Sequence, residues 1–293
     1  MDISICAKVD IGKERDQNED AFLVCPDLTH PDWGKNETCV RLGPHGAVLV
    51  VADGLGGENA GEVASSLAIA SIRDSFSTTP MESVVTTEER IKEFLRTMVI
   101  NADDRINSEA WNHPETQGMG TTIVVCWIFE KKTYVAWCGD SRCYVYHPQT
   151  GLQALTKDHS FVQELIDKGE LTDKEAFTHP DNHIITRGLG NFDSEAVPDI
   201  VSFPTQEGDT FLLCSDGLCG YCDDKTIEKV MKAHVFDTSD CCSTLINLAL
   251  KSGGFDNICV ALAHVGPNES NTKLGMLSKA IRFIQRLSDH QTK

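Results

Sequence analysis

Four aspartates stand where an apolar run breaks against glycine or a turn: Asp53-Gly54, Gly139-Asp140-Ser-Arg142, Ser215-Asp216-Gly217 and Gly254-Phe-Asp256-Asn257. A fifth acidic position, Glu19-Asp20, immediately precedes an apolar segment. Each alone has the composition of a tight turn. Together they fit a sheet protein whose strand ends deliver carboxylates to one place, and clustered carboxylates repel one another unless a cation sits among them. Hard divalent ions such as Mg²⁺ and Mn²⁺ take oxygen ligands, and Mg²⁺ keeps several waters, so a few carboxylates and a backbone carbonyl suffice. Two such ions about 3.5 to 4 Å apart need a bridging carboxylate; they lower the pKa of a shared water and neutralise phosphoryl charge. Asp53 is the natural bridge. Gly54 lets its own carbonyl turn toward a second ion, and Gly56-Gly57 let the chain pass close by. A phosphoryl group also needs a cationic clamp of the bidentate kind arginine offers, and Arg15, just before Asn18-Glu19-Asp20, is the candidate.

The elements that must position these groups follow from periodicity. Residues 3–9 and 21–25 read as strands, and 47–52 is a fully apolar strand ending at Asp53. Residues 26–46 are rich in turn formers. Residues 62–76 form an amphipathic helix; a second opens on a capping box at Thr86-Thr-Glu-Glu89 and runs toward Trp111. Three strands follow, 121–129, 133–138 and 142–147, the first two joined by a hairpin-length link that makes them antiparallel neighbours. Residues 156–196 turn polar and irregular, with a short helical pattern at 161–168 and a His and Arg content suited to a lid. Order returns with a strand at 209–214, helices at 226–234 and 241–251, and a last strand at 257–265. The tail, 267–293, carries Leu274, Leu277, Ile281 and Ile284 on one helical stripe, and five basic residues against one acid from Lys273 onward. Docking back on the domain and binding a partner or membrane surface are both open to it.

A chain of 293 residues with 41% hydrophobic content can bury a full core. Its formal charge of -18 disfavours nucleic acid and anionic membranes as partners and suits cations. No apolar run is long enough to span a bilayer, and the opening Met1-Asp-Ile-Ser-Ile-Cys lacks the features of a secretory signal, so a cytoplasmic protein with no transmembrane segment is expected. The twelve cysteines are then expected to stay reduced, several as small core residues. Cys219-Gly-Tyr-Cys222 resembles a redox pair but lacks a thioredoxin-like context. Other phosphatase chemistries leave no trace: no arginine stands six positions after any cysteine, and neither an Asp-x-Asp after an N-terminal strand nor Gly-Asn-His is present. A calcium-binding protein would instead pack its ligands into one 12-residue loop.

Read together, Arg15-Asp-Gln-Asn-Glu-Asp20, Ala52-Asp-Gly-Leu-Gly-Gly-Glu-Asn-Ala-Gly-Glu-Val-Ala-Ser65, Gly120-Thr-Thr122, Gly139-Asp-Ser-Arg142, Ser215-Asp-Gly217 and Asp256-Asn257 closely resemble the metal-dependent Ser/Thr protein phosphatases of type 2C, the PPM family, especially bacterial members. The resemblance spans residues 1 to about 266, the expected catalytic domain, with the six motifs in order. It implies an α+β fold, a four-layer α-β-β-α sandwich in which helices flank a central antiparallel β-sandwich. It implies two Mn²⁺ or Mg²⁺ ions bridged by Asp53, with the Gly54 carbonyl on the second ion and Asp216 and Asp256 completing the first. Glu19 and Asp20 would act near the second ion, largely through waters. Arg15 would bind the substrate phosphate, and Asp140 with Asp216 would offer a weaker third metal site. Residues 156–196 would be the flap beside the active site.

The implied reaction is hydrolysis of phosphoserine and phosphothreonine in proteins, some of them targets of a Ser/Thr kinase, by a metal-activated water without a phosphoenzyme. One departure is visible. Many relatives carry a histidine soon after the Asp-Gly pair, proposed to protonate the leaving group; here Leu55 and Glu58 stand in its place, leaving a water, His159 or His183 for the task. The alternative function is an inactive module that kept the fold, whose mark would be a missing acid; none is missing.

Overall fold

The computed structural model describes residues 1–33, 36–56, 60–192, 195–234 and 237–267. Elements are numbered in chain order. Six strands form one antiparallel sheet in the order β3 (Glu37–Arg41), β1 (Asp2–Asp10), β13 (Ile258–Gly266), β12 (Thr210–Cys214), β8 (Arg142–His147) and β9 (Gly151–Ala154). The second sheet runs β10 (Leu189–Gly190), β5 (Gly120–Thr121), β4 (Ala47–Leu55), β6 (Ile123–Phe129), β7 (Lys132–Cys138) and β11 (Asp199–Pro204), with β2 (Asp20–Cys25) also paired to β4.

Alternation along each strand decides the layers, because successive side chains point to opposite sheet faces. On β4, Ala47, Leu49 and Val51 meet Ile3, Ile5, Phe211, Leu213, Ala261 and Ala263 of the other sheet in a core between the sheets. Val48, Val50 and Ala52 face outward and pack under helices α1 (Ala60–Thr78) and α3 (Glu88–Asn112), where Phe76 and Phe94 meet Trp127 edge to face. The other sheet's outer face carries α6 (Asp216–Cys219), α7 (Asp224–Ala233) and α8 (Thr238–Lys251), packed on Cys6, Tyr144, Leu212 and Leu262. Both faces of each sheet are therefore covered, which is why β4 reads as an unbroken apolar run. The four-layer α-β-β-α architecture is the expected one.

Four local expectations are corrected. The second long helix is capped by Thr87, whose hydroxyl accepts from the Arg90 N–H, so Thr86 is outside the helix and the capping box does not form. Residues 26–46 hold an edge strand, β3, whose burial alternates only weakly. The strand expected at 121–129 is broken at Thr122, whose N–H turns to the Asp53 carbonyl (2.8 Å). The stretch 156–196 holds the expected helix, α4 (Phe161–Asp167), but also α5 (Asp173–Phe177) and β10, which were not expected; a full capping box is found here instead, between Thr172 and Glu175. The short α2 (Met81–Val84) was also not foreseen. The amphipathic tail lies outside the described residues, as does Glu58.

Candidate metal and phosphate site

The parity that builds the inter-sheet core also aims the acids. Asp53 follows Leu49 and Val51 on the inward face of β4, and Asp20 pairs directly with it across the β2–β4 ladder, in step with inward-facing Val24. On the opposite sheet, Ser215 follows Phe211 and Leu213. Its hydroxyl donates to Asp20 Oδ2 (2.7 Å) and accepts from the Cys259 N–H (2.9 Å), joining the two sheets at their open end. Asp216 is the next residue, first in α6, and Gly217 is needed there because a Cβ would run into the Asn257 carbonyl. That close approach brings the Asp216 and Asp256 segments together.

Burial and mutual repulsion dominate the electrostatics. Asp20 is pushed up to about 8 and Asp216 to about 6, each chiefly by burial and then by neighbouring aspartates. Asp53 is raised well above the usual carboxylate range by burial and then by Asp20, Asp216, Asp140 and Asp256, so all five aspartates act on one locus. Asp140 is raised in the same way, by burial and then by Asp216. Asp20 Oδ1 and Asp140 Oδ1 are buried without a hydrogen-bond donor. An orphaned buried carboxylate oxygen is costly unless a cation takes its lone pairs. Among the described residues no three His, Cys, Asp or Glu side chains are gathered closely enough to hold a metal ion by themselves. Waters and backbone oxygens must therefore complete any ion's shell, as Mg²⁺ and Mn²⁺ chemistry allows. The donor set fits hard divalent cations.

The surrounding groups hold this set in place. The Asp53 N–H donates to Thr122 Oγ1 (3.0 Å), and its carbonyl accepts from the Thr121 hydroxyl (2.8 Å). Thr122 Oγ1 also shares a hydrogen bond of 2.7 Å with Ser141, beside Asp140. Gly54 is packed so closely on the Gly61 and Glu19 carbonyls that no Cβ would fit. Asn257 clamps the 11–19 loop: its amide donates to the Ile11 (3.0 Å) and Gln17 (2.8 Å) carbonyls and its Oδ1 accepts from the Glu19 N–H (2.8 Å). Glu19 is thereby held beside Gly61, its carboxyl raised by burial.

Arg15 lies on the same loop, its side chain 50% exposed and its guanidinium 2.8 Å from Asp256 Oδ2. The phosphate clamp inferred from sequence thus sits at the rim of the aspartate cluster, engaged with one of its members. All eight residues singled out from sequence are placed on the segments that converge here. Ser215, Thr122 and Asn257 stood inside the quoted motifs, but their positioning roles were missed; for Ser215 and Asn257 a polar residue next to an aspartate was the available signal, and Thr122 had none.

The two histidines offered as proton donors differ in setting. His159 Nδ1 accepts the Gly139 N–H (3.1 Å), and burial followed by the Arg187 charge lowers its pKa against the opposing pull of Asp199. His183 is exposed. All twelve cysteines are free; Cys219 and Cys222 are buried with raised pKa values, the former through Cys214 and then burial, so the thiolate form is disfavoured at both.

A protein phosphatase 2C family model matches residues 35–250. The serine/threonine phosphatase stp of Listeria welshimeri is 35% identical over 215 residues, 73% of this chain and 83% of that protein. The crystal structure of the Mycobacterium tuberculosis serine/threonine phosphatase PstP superposes with a TM-score of 0.75 at 30% identity, covering 91% of this chain and all of that one. A PstP catalytic domain in complex with 2 manganese ions gives a TM-score of 0.72 at 30% identity, covering 91% and 99%. Fold, site and likeness agree: the chain belongs to the protein phosphatase 2C family, and the enzyme class is that of the protein Ser/Thr phosphatases. No described helix is long and apolar enough to cross a membrane.

Proposed function

We propose that the chain hydrolyses phosphoserine and phosphothreonine esters in proteins at the Asp53 cluster, using two Mn²⁺ or Mg²⁺ ions and no phosphoenzyme, with residues 1–266 as the catalytic unit and 156–196 as its flap. The observation that carries the reading is four aspartates gathered around Asp53 with two orphaned buried oxygens, beside an arginine at the solvent edge. Bound there, the ions would supply a nucleophile at neutral pH and offset phosphoryl charge. Asp53, the Gly54 carbonyl, Asp216 and Asp256 would hold them, with Glu19 and Asp20 acting through waters and Asp140 serving a weaker third site. Arg15 would orient the phosphoryl oxygens through its planar fork. Ser215, Thr122 and Asn257 keep these groups in place before substrate arrives, the kind of preorganisation that catalysis by electrostatics requires. Phosphorylated targets of a Ser/Thr kinase in the cytoplasm are the proposed substrates. A binding module that lost catalysis is disfavoured because every acid of the cluster is present.

The test is hydrolysis of a phosphothreonine peptide and of p-nitrophenyl phosphate with Mn²⁺, Mg²⁺ or chelator. Wild type should be active only with metal, and Asp53→Ala should lower kcat by at least about 10³-fold, several kcal/mol of lost charge stabilisation. Activity that survives both chelation and the substitution would overturn the proposal.

A further inference from the structure

Two aromatic rings border the aspartate cluster and are not used by the chemistry above. Phe255 directly precedes Asp256, and Tyr221 lies just past α6, which begins at Asp216. Their centroids are 5.4 Å apart with the planes tilted by 43°. Phe255 is 51% exposed and Tyr221 39%. The Tyr221 hydroxyl is within electrostatic range of Asp216, Asp256 and Arg15, so the pair borders the groups assigned to metal and phosphate. Other large apolar side chains, such as Trp111 on α3, are also exposed, but of the exposed ones among the described residues these two alone are in ring contact with each other.

The rings are seated on fixed backbone even though they are exposed. Gly253 adopts φ +135°, and a Cβ there would run into the Phe255 ring, so the ring lies against bare backbone that only glycine offers. The backbone turn that follows α6 fixes Tyr221, whose N–H donates to the Leu218 carbonyl. An exposed apolar surface already fixed in place loses little conformational freedom when a ligand covers it. Its flanks define the ligand. Lys13 runs over Gly254 beside Phe255, and Arg15 stands on the Asp256 side, so a cationic side chain is repelled from that edge. Asp223, two residues past Tyr221 at the N-cap of α7, repels an anion. An uncharged apolar side chain is what remains.

We propose that Tyr221 and Phe255 are specificity-determining residues, forming a platform on which an apolar side chain flanking the phosphorylated Ser or Thr of a protein substrate rests. The proposal depends on the phosphatase reading of the site. Its readout is a ratio taken on one enzyme preparation: kcat/KM for phosphothreonine peptides carrying Leu, in turn, at the two positions on either side, over kcat/KM for the same peptide with Gly there. Wild type should prefer Leu at one position by about tenfold, the discrimination one apolar side chain supplies. In Tyr221→Ala/Phe255→Ala the ratio should fall to about 1 to 2, while Trp111→Ala should keep the wild-type value. Tyr221→Ala alone, which leaves Phe255 over Gly253, serves if the double variant does not fold, and should reduce the ratio at the same position. A wild type indifferent to Leu, one that prefers Arg or Asp there, or a ratio unchanged in the variants would overturn the platform while leaving the phosphatase intact. Failure of the wild type to turn over any peptide with Mn²⁺ would instead remove the phosphatase reading, and the platform with it.

Discussion

At the scale of single residues, Arg15 occupies two roles that can be separated. It is paired with Asp256 at 2.8 Å, yet half of its side chain is in solvent, where a phosphoryl group would arrive. Arg15→Ala should lower kcat/KM for phosphopeptides by about 10- to 100-fold, with Arg15→Lys recovering part of the loss because the charge is kept and the fork is not. Calorimetric titration with Mn²⁺ should show no weakening in Arg15→Ala, since the substitution frees the Asp256 carboxylate. A parallel loss of metal affinity would show that Arg15 organises the cluster instead of meeting substrate. The aspartates were legible in the sequence because each stands at the end or the start of an apolar run, most of them near a glycine, a place where burial of a charge needs a reason. Their supports were not: Ser215 reaches Asp20 across 195 positions of chain, and nothing in Ser-Asp-Gly distinguishes a hydroxyl that bridges two sheets from a turn former.

At the scale of elements, the loop carrying Arg15 and Glu19 is fastened by one side chain. Asn257 satisfies the Ile11 and Gln17 carbonyls and the Glu19 N–H in a single fan of hydrogen bonds. Asn257→Ala should lower stability by roughly 2–4 kcal/mol, three bonds at about 1 kcal/mol each, and should weaken Mn²⁺ binding about 10- to 100-fold because a group that orients the proposed ligands is gone. Thermal unfolding and metal titration measure both. A drop in stability with unchanged metal affinity would confine Asn257 to the fold. The long apolar strands and helices were legible from their period. The edge strands were not: β3 is nearly all exposed or half-buried, and β11, Asp-Ile-Val-Ser-Phe-Pro, carries a proline that an edge tolerates and a central strand does not. The break at Thr122 was hidden because its cause, the Asp53 carbonyl, lies on another strand.

At the scale of the whole molecule, two sheets that bury apolar faces against each other and against helices place a set of aspartates at one end of the sandwich, within a chain of net charge -18. Without metal the fold must hold protons on carboxyls that the unfolded chain releases near pH ~3.9. Asp20 keeps its proton to about 8 and Asp216 to about 6, both mainly through burial. Between these limits the folded state binds more protons than the unfolded state, so the slope of stability with pH is negative. The stabilisation is complete below about pH 4 and is lost progressively as pH rises to about 8. A divalent ion binds the ionised form and reverses the penalty, by an amount that grows as those protons leave. The metal-free protein should therefore melt roughly 5–10 °C lower at pH 8 than at pH 5.5, a few kcal/mol spread over a chain of this size, while the rise in Tm on adding Mn²⁺ should be largest at pH 8. Thermal scans with chelator and with Mn²⁺ across that range measure both trends. Equal metal-free stability at the two pH values, together with a metal increment that does not change with pH, would mean that the aspartates carry their charges without strain and that the cluster has no need of a cation.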